Sequence, residues 1–306
     1  VGEKLSAISF TPPEMVSTDA LTGWVQARPA DPALCVGYRV AGRRLYLTAV
    51  YGDGSEGAQR AACAELDAAA EAGFRALLAG NRAWWKAYWK TVPTLEIPNE
   101  RLQCLYDYGM YKFAGLTNPA GVPATLQGPW IEEYQLPPWC SDYHFNINVQ
   151  MCYWPAYHGN RLEHLRPLFE MVTSWMDVLR HNAQVFLGID DGLMLPHSVD
   201  DRCVTIGGFW AGSLDHGCTA WVAQMMYRYY RYTMDRDFLA HTAYPFMVGA
   251  MRVYEEMLEP DGDGYALPVS VSPEYRALKT ASWWGKNASF QLACLHRLLE
   301  DLLAAS

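Results

Sequence analysis

Near residue 55 the apolar residues change their period, and that change constrains what this chain can fold into. Before it, the runs SAISF, LTGWVQAR, ALCVGYRV and RRLYLTAVY are short and rich in β-branched and aromatic residues. Gly, Pro and Asp punctuate them, which predicts strands. After it, Leu66, Ala70, Phe74, Leu77, Leu78, Trp84, Trp85, Tyr88 and Trp89 recur at helical spacing. Gly73 and Gly80 weaken that segment, so it reads as one long helix or two shorter ones. A four-stranded sheet with open edges is an aggregation hazard. Residues 1–54 are therefore expected to be the C-terminal part of a larger β-domain.

Residues 55–98 read as a helical linker that ends in the two prolines of PTLEIPN. Beyond it the spacing predicts helices over 100–116, 161–187, 214–234, 237–258 and 286–304. The first should bury Leu102, Leu105, Tyr106, Met110 and Phe113, and Asp235 should N-cap the fourth. Two long loops intervene, 188–213 and DGDGYALPVSVSPEYR, and long loops in compact domains are usually functional. Helix, loop, helix is the rhythm of a helical-hairpin barrel. The expected fold is mainly α: a partial (α/α)6 six-hairpin barrel over 99–306, preceded by the β-domain remnant and the linker. Helix faces left without partners should drive self-association.

Composition excludes several functions. The net charge of −9 argues against a nucleic-acid partner and gives no basic patch for an anionic membrane. No run of eighteen apolar residues suggests a span, and no signal peptide precedes the fold. The eight cysteines form no C-x-x-C pair and no zinc spacing, so they read as scattered, buried thiols and favour a cytoplasmic setting. No Walker loop, dinucleotide fingerprint, G-x-S-x-G or H-E-x-x-H is found, and no cofactor or metal is implied.

The chemistry concentrates in residues 127–157, QGPWIEEYQLPPWCSDYHFNINVQMCYWPAY. Prolines keep most of it out of regular structure. Trp130, Trp139, Tyr143 and Trp154 offer aromatic faces for a ring-shaped polar ligand. If YHFNIN is extended, His144, Asn146 and Asn148 form one polar row, with Phe145 and Ile147 packed behind. Such a row can read sugar hydroxyls or orient a water. The alternative is a helix cap, with Asn148 as N-cap. In SVSPE, Glu274 follows a proline, and Trp283 and Trp284 can wall it. Burial there would raise its pKa and suit a general acid, whereas the plainer reading is a helix N-terminus. Asp200, Asp201 and His197 in PHSVDD can also be read as a hard-cation site.

The order of segments adds a resemblance. PATLQGPW, YHFNINVQMCYWP, NRLEHLRPLFEMV, WVAQMMYRYYRYTMDRDFL and SVSPEYR, in that order, resemble glycoside hydrolase family 95 over roughly residues 75–300. The resemblance implies an inverting exo-glycosidase that removes a terminal α-L-sugar, fucose or galactose-like, from an oligosaccharide or glycoconjugate. It implies Glu274 as general acid, Asn146 and Asn148 as water-activating amides, and His144 as a sugar-binding neighbour. An amide is a poor base, so an aspartate must assist. The resemblance places that aspartate beyond Ser306, so the chain alone is expected to be inactive. Two alternatives stay open: another six-hairpin enzyme, such as an α-L-rhamnosidase or a disaccharide phosphorylase, and a catalytically incomplete sugar-binding or assembly protein.

Overall fold

The computed structural model describes residues 11–28, 31–129, 137–206, 215–272 and 284–306. The chain divides into two compact units, 1–91 and 92–306.

In the first unit, β1 (Glu14–Ser17), β2 (Thr22–Gln26), β3 (Ala33–Ala41) and β4 (Arg44–Gly52) form an antiparallel meander in sequence order. The run SAISF lies outside the described residues. Strand periodicity sends Val25, Cys35 and Tyr46 into one core with Leu21 and Ala33. Ala58, Ala62 and Leu66 of α1 (Gly54–Thr91) complete that core. Small residues four apart let the helix lie close to the sheet. The approach is tight enough that a Cβ on Gly52 would sit 2.3 Å from the Ala58 nitrogen. The segment expected as a linker therefore begins as part of this unit's core.

At Gly73 the backbone leaves helical geometry (φ 74°, ψ 160°), so α1 is two helices end to end. Only glycine enters that region cheaply. Beyond the break, Phe74, Leu77, Trp84 and Trp89 remain exposed, although their spacing is that of a buried stripe. The sheet face opposite α1 is likewise open, with Met15, Tyr38, Val40, Leu45, Leu47 and Tyr51 exposed.

The second unit is helical. Asn99 caps α2 (Glu100–Leu116), accepting from the Arg101 and Leu102 amides. Met110 and Phe113 are buried as expected, but Leu102 and Leu105 are 53% and 58% exposed and join Tyr108 and Tyr111 in an open apolar row. The apolar pattern of α2 thus exceeds what its neighbours among the described residues cover. The helix expected over 161–187 is interrupted. After a 3-10 turn (Leu162–Leu165) come α4 (Arg166–Ser174) and α5 (Met176–Leu187), separated at the buried Trp175. Before them lies α3 (Asn148–His158).

Asp235 does cap the next hairpin, accepting from the Phe238 amide at 2.9 Å. That hairpin joins α6 (Gly217–Thr233) to a continuous helical run ending in α7 (Tyr244–Met257). Its first part contains a π turn, Leu239–Ala243. Pro245 follows, lacks an N–H and cannot make the ordinary helical bond, which accounts for the local change of winding. The following loop is not wholly irregular. It opens with a hairpin of β7 (Glu259–Asp261) and β8 (Gly264–Ala266), turning at Gly262. The last helix, α8 (Ser289–Ala305), packs with α6 and α7.

The long loop after α5 threads among these helices. Its backbone bonds three of them in succession: Leu193 N–H to Gly249 O, Met194 N–H to Leu179 O, and Leu195 N–H to Thr219 Oγ1. Leu193, Met194 and Leu195 are all buried. Buried backbone must be paired, and here the surrounding helices supply the partners.

Candidate active site

That threading delivers His197 and Ser198 to the strand carrying His144. β5 (Tyr143–His144) pairs antiparallel with β6 (Ser198–Val199), and the Phe145 amide donates to His197 O at 2.7 Å. The extended geometry stops there. Residues 145–147 turn into α3, so the side chains no longer alternate. His144, Phe145 and Asn146 are all buried, and Ile147, expected behind the row, is 40% exposed. Ile147 is the N-cap residue of α3 and Asn148 its first turn, so Asn148 does not cap. It is half-buried.

His144 Nδ1 lies 3.0 Å from both carboxylate oxygens of Asp142. The Ser198 hydroxyl donates to the same carboxylate. His144 Nε2 meets His197 Nε2 at 3.0 Å. His197 Nδ1 in turn faces Asp215 Oδ2 at 3.8 Å, an ion-pair separation longer than a hydrogen bond. Asp215 Oδ1 accepts from Gln291 Nε2 of α8 at 3.2 Å. Asp142, His144, His197, Ser198, Asp215 and Gln291 are all 5% exposed or less. Two carboxylates and two imidazoles thus form one buried row joining three segments of chain.

Burial governs the charge of His197 and Asp215. It is the main cause that pushes His197 down to about 4, followed by repulsion from His144 and partly opposed by Asp142. It also pushes Asp215 up to about 7, against the hydrogen bonds from Gln291, Cys218 and the Gly217 amide. Gly217 leaves room for this packing: a Cβ there would meet the Phe290 ring at 2.6 Å and Asp215 Oδ1 at 3.2 Å.

The Ser198 hydroxyl bonds the Asp142 carboxylate and not an imidazole nitrogen, which is not the serine–histidine arrangement of a nucleophilic triad. The cation reading of PHSVDD does not hold together. Asp200 Oδ1 caps its own turn through the Arg202 and Val204 amides. No three metal-ligating side chains converge among the described residues.

Asn146 is 4% exposed, and its Oδ1 has no hydrogen-bond partner among the described residues. A buried amide oxygen left without a donor is costly and marks a place where a bound water or hydroxyl can enter. Trp139 lies beside this cluster, its ring centroid 5.6 Å from that of His144 and half its surface exposed. It stands in a turn where Trp139, Cys140 and Ser141 all have φ between 53° and 57°. Three successive non-glycine residues in the left-handed region are strained, and such strain gathers at functional sites.

The other aromatic candidates divide. Tyr143 is core, buried against Trp175, with its hydroxyl pushed up to about 12 mainly by burial. Trp154 is 38% exposed on α3. Trp284 is exposed in the ladder of β9 (Ser270–Val271) and β10 (Trp284–Gly285). Glu274, Trp130 and Trp283 lie outside the described residues. The described residues on either side of Glu274's segment are bonded to each other. Ser270 Oγ donates to Gly285 O and accepts from the Ala288 amide, each at 2.7 Å. That ladder leads straight into α8 and Gln291, which touches Asp215.

Sequence reasoning placed His144 and Asn146 here but did not see the His144–His197 pairing or the Asp215–Gln291 contact. Asp142 and His144 stand two apart on an extended segment, a spacing that puts them on one side. Nothing local announces a contact between residues fifty-three positions apart.

The second unit is thus a set of helices around a buried cluster of carboxylates, imidazoles and amides with Trp139 beside it, and its fold is that of part of a six-hairpin barrel. A solved structure assigned as a kojibiose phosphorylase from human microbiome shares the fold, with a TM-score of 0.70 at 11% identity, over 95% of this chain and 43% of that one. The model of the glycosyl hydrolase family 95 catalytic domain matches residues 87–306, and the chain belongs to that family. It is 32% identical over 222 residues to alpha-L-fucosidase 2 of Arabidopsis thaliana, covering 67% of this chain and 25% of that protein. It is 31% identical over 159 residues to "Probable alpha-fucosidase A" of Aspergillus niger, covering 51% of this chain and 20% of that protein. The chain thus spans about a quarter or less of the curated relatives' length. No helix among the described residues is long and apolar enough to cross a membrane.

Proposed function

We propose that this chain contributes the Asn146 side of an inverting exo-glycosidase that removes a terminal α-L-sugar, with fucose the leading candidate. The observation that carries the reading is the buried Asn146 Oδ1, left without a hydrogen-bond donor among the described residues two positions from the Asp142-bonded His144. In this reading Asn146 and Asn148 orient the attacking water, and Glu274 protonates the leaving oxygen. Trp139, with Trp154, Trp284, Trp130 and Trp283, contributes aromatic walls. Both ring nitrogens of His144 are engaged within the protein, which favours its ring edge as the part that meets a sugar. The fucosidase names of the relatives support fucose as the first sugar to try. The open row Leu102, Leu105, Tyr108 and Tyr111 supports self-association.

The test is turnover of aryl α-L-fucoside, α-L-galactoside and α-L-rhamnoside, with the released anomer followed by proton NMR. Inversion predicts the β-anomer first, and Glu274→Gln should abolish most activity on natural linkages. Retained configuration, or turnover that requires phosphate, would overturn the assignment.

A further inference from the structure

We propose that Asp142, His144, His197 and Asp215 are one proton-sharing relay, in which His197 and Asp215 are positioning residues for His144 and the Asn146 turn. The inference rests on placing Asn146 in the site, but its geometry does not depend on any sugar.

Hydrogen counting fixes the arrangement. Asp142 already accepts from Ser198, so His144 Nδ1–H donates to it and His144 Nε2 carries a lone pair. The 3.0 Å contact between the two Nε2 atoms needs one hydrogen, which His197 therefore supplies. His197 Nδ1 is then a lone pair facing Asp215 Oδ2. That contact is attractive only if Asp215 carries a proton. At 3.8 Å it is loose, as such contacts often are before a ligand draws the site together.

A second state is one concerted shift away. The Asp215 O–H breaks as His197 Nδ1–H forms, and the His197 Nε2–H breaks as His144 Nε2–H forms. The products are Asp215 carboxylate, neutral His197 in its other tautomer, and a His144 imidazolium clamped by Asp142. The four side chains keep one net negative charge throughout, and no co-reactant is needed. The dry surroundings favour the first state, and the ion pair with Asp142 is what compensates the charge separation of the second. Burial favours a neutral His197 and a protonated Asp215 in the first. On the packed helices Asp215 bonds Cys218 of α6 and Gln291 of α8 and is coupled to Tyr254 of α7 and Cys294 of α8, while the buried imidazole of its neighbour His216 packs on Tyr254. The imidazole set against the Asp215 carboxylate is that of His197, which makes it the proton partner in this row.

Histidine side-chain nitrogen NMR on the ¹⁵N-labelled chain tests this without substrate. The expected result at low pH is His144 as the Nδ1–H tautomer and His197 as the Nε2–H tautomer. Both patterns should be lost together as pH rises through about 7, where Asp215 gives its proton to solvent and the row no longer holds the three hydrogens that both states share. In Asp215→Asn the amide N–H can donate to His197 Nδ1, so the low-pH pattern should persist with no transition; Asp215→Ala should lose it. A wild-type His197 found as Nδ1–H at all pH, or a transition unchanged in Asp215→Asn, overturns the relay. Because the readout uses no sugar, the relay and the glycosidase reading fail separately: the tautomer pattern decides the first, and turnover of the aryl glycosides decides the second.

Discussion

The Nε2 atoms of His144 and His197 lie 3.0 Å apart, so two imidazoles from segments fifty-three residues apart share a single hydrogen. Neither ring can be charged or turned without affecting the other. Asp142 and Asp215 close the row at its ends.

Opposite pH slopes follow from this row. Burial lowers His197 from 6.5 to about 4, so between those values the unfolded chain binds a proton that the folded chain refuses. Its contribution to stability therefore falls as pH drops. Asp215 is raised from 3.8 to about 7, so its contribution is full below 3.8 and is lost as pH rises through 7. Between about pH 4 and 6.5 the two cancel. Asp215→Asn should leave the histidine slope, with stability rising by up to about 1.4 kcal/mol per pH unit. His197→Phe should leave the opposite slope. Urea unfolding at stepped pH reads both, and parallel profiles for all three proteins would remove the basis for coupling these groups.

Trp139 should matter for binding more than for folding. It is half exposed and its ring lies against His144. Trp139→Ala should weaken L-fucose binding about tenfold, roughly 1.4 kcal/mol, and Trp139→Phe should keep most of it. Calorimetry on the two variants measures this. Equal affinity in wild type and Trp139→Ala would show that the ring is not a sugar platform.

The left-handed turn under Trp139 offers a separate measurement. Cys140 has φ 57° and an exposed side chain, so its replacement loses little packing. Cys140→Gly should stabilise the protein by up to about 1 kcal/mol, because glycine enters this region without the Cβ penalty. A thermal midpoint lower than wild type would mean that the turn is not strained. If the strain serves to hold Trp139, the same variant should bind sugar more weakly while being more stable.

What the sequence disclosed and what it hid have physical reasons. The cap at Asp235 is a local hydrogen bond, and the helix that follows it stands where side-chain chemistry and apolar spacing place it. The break at Gly73 was also legible, as one residue's backbone freedom. Leu102 and Leu105 misled because spacing marks an apolar face but cannot supply the surface that covers it. Cys104, read as buried for the same reason, is exposed with that face, and Cys140 is exposed in its turn. The YHFNIN row misled because alternation requires an extended chain, and the chain turns at residue 145. The His144–His197 pair depends on how a long loop threads among α5, α6 and α7, which is a tertiary property.

That threading can be tested at Gly249. Its carbonyl accepts the Leu193 amide at 2.9 Å, and a Cβ there would meet Leu193 Cγ and Cδ1 at 2.4 and 2.6 Å. Leu193 is buried beside Met194 and Leu195, so it has little room to withdraw. Gly249→Ala should therefore cost about 1–3 kcal/mol by overpacking, despite alanine's better helix propensity, which alone would stabilise by about 1 kcal/mol. The loop should loosen first. Amide exchange of Leu193 and Leu195 should quicken more than that of the α7 interior, and His197, four residues on, should lose its fixed tautomer. A stabilised Gly249→Ala protein with unchanged exchange at Leu193 would mean that the loop is not held by this contact.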